Sequence, residues 1–129
     1  MQNLQKEMTQ KDVVWLTICS SSKGKQGYHQ PGDWKDLANE KGMGSSAILL
    51  DDAGAVGKLF GAKTTPHMFV INPRGILIYQ GAIDDKPSTN LVDVPGAKNY
   101  VRSALDEAMA GKAVKIAQTQ SYGCSVKYK

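Results

Sequence analysis

The sequence predicts an α/β fold. Three observations carry that reading: a β-branched, nearly continuous apolar run at 13–18, a strand–turn–strand pattern around Asn72-Pro73-Arg74-Gly75, and a helix-periodic stretch at Tyr100–Met109. Strand-like runs alternating with helical ones build small sheets covered by helices. With 129 residues, 41% of them hydrophobic and 22% charged, the chain suits one compact domain over 1–129 with a modest core, its tail 112–129 partly irregular.

Each element has a local reason. Leu4 and Met8, four apart among Lys, Gln and Glu, predict the last turns of an amphipathic helix over 4–11. The run 13–18 reads as a strand covered on both faces, and 19–32, rich in Ser, Gly, Lys and Gln, reads as a surface loop. Asp33 is placed to cap a short helix carrying Trp34, Leu37 and Ala38 that ends near Gly42. Next come a short apolar strand over 47–50 and a helix bearing Val56, Leu59 and Phe60, capped by Asp51 or Asp52 and stopped at Gly61. Gly54 and Gly57 cost that helix about 1 kcal/mol each relative to Ala, so packing must hold it. Pro73 at the second turn position and Gly75 at the fourth predict a hairpin joining strands 68–71 and 76–80, with Gly75 free to take the left-handed conformation. After a polar, proline-bearing stretch at 84–96, the residues Tyr100, Val101, Ala104, Leu105, Ala108 and Met109 recur at three- and four-residue spacing, and Gly111 ends the helix. Trp15, Trp34, Phe60, Phe69 and Tyr100 are expected to supply core area.

Several function classes are disfavoured. Sixteen Lys plus Arg against twelve Asp plus Glu leave a net charge of +4, which solubility alone explains, and no spaced aromatic stripe suits base stacking, so no nucleic-acid partner is expected. The basic excess is concentrated after Glu107, at Lys112, Lys115, Lys127 and Lys129, as a contact surface or a solvated tail. No run of eighteen apolar residues and no signal-like start predict a cytoplasmic chain without a membrane partner. Two cysteines, Cys19 and Cys124, form no CxxC pair, and with only His29 and His67 beside them neither a metal centre nor a bound cofactor is expected. The glycines near Lys25 make no phosphate-cradling pattern, and the adjacent Asp84 and Asp85 point apart in an extended segment.

The segment from Gly61 through Thr64, Thr65, Pro66, His67 and the hairpin to Asp85 resembles the C-terminal half of thioredoxin-fold proteins, most closely the peroxiredoxin-like (redoxin) thiol-disulfide oxidoreductases. The tail from Tyr122 to Tyr128 is similar to the ending of one branch of that group, so the likeness runs through most of the chain. It implies a thioredoxin-like mixed sheet flanked by helices and a cis bond at Thr65–Pro66, although an X-Pro bond is cis in only about 5–6% of cases and an ordinary trans proline limiting a strand start is the alternative. A cis bond there leaves the Thr65 backbone open to pair with an extended thiol substrate, which makes Thr64, Thr65, Pro66 and His67 the candidate substrate-binding residues.

The departure from the family is at the start. The family begins with a strand leading to a CxxC or peroxidatic cysteine at a helix N-terminus, where the helix dipole and free N–H groups stabilise the thiolate. Here that unit is missing, and the helix at 4–11 resembles the end of the helix that should bear the thiol. In family topology the missing strand is central, between 13–18 and 68–71, and its loss exposes two interior edges. Those strands close up, or a second copy completes the sheet by dimerisation or exchange, or the sequence belongs to a longer protein. Assembly is the outcome expected here, a homo-oligomer, with a thiol-bearing protein or peptide as a further partner.

The candidate catalytic thiols are Cys19, at the C-terminal end of an apolar strand, and Cys124, near Lys127 in a glycine- and serine-rich tail. Against those roles, Cys19 also reads as a small core residue, Cys124 as a terminal cysteine without chemistry, and His67 as a strand residue with a satisfied hydrogen bond. The expected function is that of a redoxin-related domain with weak or no thiol-disulfide exchange of its own. The alternative is a non-catalytic binding or assembly module using the Thr65–Pro66 groove.

Overall fold

The computed structural model describes residues 2–86 and 97–128. Part of the polar connection read at 84–96 therefore lies outside the described residues. The elements run α1 (Gln2–Gln10), β1 (Leu16–Cys19), α2 (Pro31–Lys41), β2 (Ala47–Leu50), α3 (Ala55–Phe60), β3 (Thr64–Thr65), β4 (Met68–Ile71), β5 (Leu77–Gly81), α4 (Tyr100–Met109) and β6 (Cys124–Ser125). The architecture is α/β, with one parallel and two antiparallel strand pairs arranged as separate two-stranded sheets. They fall into two compact units, Met1–Ala62 with Val126–Lys129, and Lys63–Ser125. Among the described residues no helix is long and apolar enough to cross a membrane.

In the first unit α1 buries Leu4, Gln5 and Met8, the apolar pair expected from the i,i+4 spacing plus a glutamine whose Oε1 accepts from the Gly44 N–H at 3.0 Å. β1 pairs in parallel with β2, Leu16 opposite Ala47 through Cys19 opposite Leu50, and Trp15 continues the pairing through its backbone to Ser46. The strand is not covered on both faces as expected: Val14, Leu16 and Ile18 are 73%, 48% and 40% exposed, and β2 is the only strand beside β1 among the described residues. α2 starts at Pro31, two residues before the expected cap, with Asp33 inside its first turn, because the fixed φ of proline suits the first helical position. No residue of α2 is buried.

α3 starts after Gly54 and is capped from a distance by Asp51. One carboxylate oxygen accepts from the Val56 N–H at 3.2 Å, and the other accepts from the Gly57 N–H at 2.9 Å and the Ser20 hydroxyl at 2.7 Å. The packing that this glycine-weakened helix requires comes in part from Tyr128, whose ring lies against Gly54 and whose hydroxyl donates to the Ala62 carbonyl at 2.7 Å.

In the second unit β4 and β5 form the expected hairpin. Asn72 organises its turn: the Oδ1 accepts from the Arg74 and Ile76 N–H groups at 3.0 Å each, and Gly75 sits at φ +80°. The other edge of β5 carries the tail, with Gln118 beside Gln80 in a parallel bridge. α4 packs on the hairpin and is capped by Asn99, whose side chain accepts from the Arg102 N–H at 2.8 Å. The core here is Val70, Tyr79, Ala82, Val101, Ala104 and Leu105. Of the aromatics expected in the core only Trp15 is buried, while Trp34, Phe60, Phe69 and Tyr100 are half-buried. Tyr79 is the large buried aromatic because its hydroxyl is satisfied inside, donating to the Ala82 carbonyl at 2.5 Å and lying 2.7 Å from the Thr119 hydroxyl.

Candidate functional site

The candidate site is built on β3 and the residues that follow it. The Thr64 hydroxyl donates to the Pro66 carbonyl at 2.8 Å, a local bond that fixes the chain around proline, and the Thr65–Pro66 bond is cis. The His67 Nδ1 accepts from the Lys63 N–H at 3.1 Å and its ring stacks on Phe69 with centroids 4.6 Å apart. Burial, with the Lys63 charge nearby, holds the His67 imidazole below its ordinary pKa. His67 lies between β3 and β4, and its Nδ1 is taken up by the backbone.

The Thr65 edge is not open. β3 pairs antiparallel with β6, Thr64 opposite Ser125 and Thr65 opposite Cys124. Backbone contact at this place depends on Gly123, which sits at φ +130°, and whose added Cβ would overlap the Thr65 carbonyl oxygen and come within 3.0 Å of its carbon. The segment before it is tied down twice. The Thr119 hydroxyl accepts from the Ala82 N–H at 2.9 Å, and the Tyr122 hydroxyl donates to Asp84 in a very short bond. Burial and the Asp84 and Asp85 carboxylates together push the Tyr122 hydroxyl far above its usual pKa, so it remains a donor. Asp84 and Asp85 thus have separate partners, the second accepting from the Lys98 N–H at 2.7 Å. Beside them a cavity of about 410 Å³ opens between Tyr100, Thr119 and Tyr122.

Both cysteines are free thiols and neither stands at a helix start. Cys19, the last residue of β1 in the first unit, is half-buried, its thiol 3.5 Å from the Gly27 carbonyl. Cys124, in the second unit, is exposed in β6. Among the described residues no group of three or more His, Cys, Asp or Glu side chains is arranged to hold a metal. The structure brings Thr64, Thr65, Pro66, His67 and Cys124 together in one unit. Sequence reasoning missed Gly123, Tyr122 and Asp84, whose signal lay only in an aromatic–glycine pair directly before a cysteine.

No protein-family model matches the chain, and no curated protein does. Solved structures do. An uncharacterized conserved protein from Geobacillus kaustophilus is similar over 99% of this chain and 66% of its own, with 29% identity and a TM-score of 0.86. A hypothetical protein from Sinorhizobium meliloti 1021 shares the fold over 99% of this chain and 68% of its own, with 23% identity and a TM-score of 0.83. The chain thus spans about two thirds of the length of these two structures.

Proposed function

We propose that residues 1–129 act as a thioredoxin-like domain of the redoxin type that holds an extended peptide, or a thiol-bearing protein segment, along Thr64–His67, with little thiol-disulfide exchange or peroxide reduction of its own. The observation that supports this reading is the antiparallel pairing of Thr64–Thr65 with an extended segment of the chain itself, the same main-chain hydrogen bonding by which a strand edge takes up a peptide. The placement of the thiols argues against resident chemistry. A cysteine at a strand end or in a two-residue strand lacks the helix N-terminus that would stabilise its thiolate. In insulin-reduction and peroxide-consumption assays the wild type, Cys19→Ser and Cys124→Ser should all run at background. A rate above background that disappears with either substitution would establish the enzymatic reading instead.

A second reading, assembly, is favoured by β1. A parallel strand is normally buried on both faces and paired on both edges, whereas among the described residues β1 has one neighbour, and Leu16 and Ile18 are exposed. A second copy supplying a strand to this edge would complete the sheet and bury those side chains. Light scattering should report a mass above that of one chain, and a well-folded monomer at high concentration would refute it. Both free cysteines suit the reducing conditions of the cytoplasm.

A further inference from the structure

The edge assigned above to a ligand is occupied by the chain itself. The occupant is the segment Tyr122, Gly123, Cys124, Ser125, and its hold includes the ladder of Thr64 and Thr65 with Ser125 and Cys124, the Tyr122 hydroxyl on Asp84, and the backbone approach that Gly123 permits over Thr65. The hold is local. The ladder is two residues long, and Thr65, Cys124 and Ser125 are all exposed, the features of a segment that opens at low cost. The segment is anchored on both sides: upstream Thr119 is tied into the core through the Ala82 N–H and the Tyr79 hydroxyl, and downstream the Lys127 carbonyl accepts from the Ser22 N–H at 2.8 Å and the Tyr128 hydroxyl donates to the Ala62 carbonyl, so what can lift is the short stretch between these two anchors.

We propose that β6 is a displaceable strap closing a peptide-binding edge at Thr64–Thr65, and that the ligand of this edge is an extended antiparallel segment in which a tyrosine and a glycine directly precede the residues that pair with Thr65 and Thr64. This rests on the reading that Thr64–His67 accepts an extended segment. The chemistry of the ligand is written in the strap. A glycine is required directly before the residue opposite Thr65, because any Cβ there overlaps the Thr65 carbonyl oxygen, and a hydroxyl donor one residue earlier is matched to the Asp84 carboxylate. One edge cannot pair with two strands, so the ligand and the strap compete. The strap is tethered, and its effective concentration is about millimolar for a short connection, so a free peptide at about 10 μM is outcompeted until the strap is weakened.

The test measures binding of a fluorescent peptide copying residues 121–127, carrying Cys124→Ser to exclude disulfide chemistry, to the full chain by anisotropy. Gly123→Val and Tyr122→Phe in the protein should each raise the apparent affinity by roughly tenfold or more over wild type, because the closed form is no longer favoured. A peptide that also carries Gly123→Val should not bind. Equal affinity for wild type and both variants would overturn the strap while leaving the binding reading intact, and no binding to any of the three proteins would overturn that reading and the strap with it. Should Gly123→Val not fold by circular dichroism, Tyr122→Phe decides alone, since it removes one hydroxyl and leaves the backbone unchanged.

Discussion

The Tyr79 hydroxyl offers a sharp test of what holds the second unit together. It is fully buried, donates to the Ala82 carbonyl at 2.5 Å and lies 2.7 Å from the Thr119 hydroxyl, which in turn accepts from the Ala82 N–H at 2.9 Å. Tyr79→Phe keeps the ring and opens no large cavity, so its cost is that of an orphaned carbonyl at Ala82, itself 4% exposed, in an environment without water. Leaving a buried acceptor unsatisfied costs about 1–3 kcal/mol. With a central value of about 2 kcal/mol and a urea m-value of about 1.5 kcal/mol/M, the midpoint should fall by about 1.3 M with m unchanged. Thr119→Val should cost a similar amount by stranding the Ala82 N–H. Because the two hydroxyls share one bond, the double variant should lose about 1 kcal/mol less than the sum of the singles. A Tyr79→Phe midpoint indistinguishable from wild type would refute the view that this network ties the tail segment to β5.

Three further outcomes are expected. Burial pushes the Asp51 carboxyl up, but the Gly57 N–H, the Ser20 hydroxyl and the Val56 N–H outweigh it and hold the folded pKa below its ordinary value. The associated stability is therefore present above the unfolded carboxylate pKa of about 4 and is lost as pH falls through the lower folded value, so the gap between urea midpoints at pH 7 and pH 3 should be smaller in Asp51→Asn than in wild type. Asn99→Ala, which removes the acceptor for the Arg102 N–H at the start of α4, should cost about 1 kcal/mol while Asn99→Ser restores most of it, as read from thermal unfolding. Met8 is fully buried, so Met8→Ala should destabilise the first unit by about 2–5 kcal/mol in urea titrations, against a near-neutral Met8→Leu.

What could be read in advance was what is decided locally. Asn72, Pro73 and Gly75 specify the hairpin turn within four residues, and α4 follows from its own apolar spacing and its terminating glycine. Asp51 was readable as a cap, although its carboxylate reaches helix α3 from outside it. Thr64, Thr65, Pro66 and His67 could be named as a site because their order resembles a known one, yet what lies opposite them could not. The pairing of Thr65 with Cys124 joins residues far apart in sequence over only two positions, and no periodicity reports so short a ladder. The weighting of the core failed for a related reason. Large aromatics such as Trp34 and Phe60 were assigned to the interior by size, whereas Tyr79 went there because Ala82 and Thr119, neither adjacent to it, take up its hydroxyl.

On the assembly reading, the edge of β1 that no described strand pairs constrains how copies of this chain stack. A neighbour joining through the same strand in the opposite direction brings two bare margins together about a two-fold axis, and growth stops at a pair. A neighbour that joins head to tail through some other surface leaves its own margin uncovered, and the array closes into a ring or lengthens into a fibre according to the rotation between copies. Direction of approach, set by where Leu16 and Ile18 find cover, thereby separates a two-fold pair from a ring or a fibre.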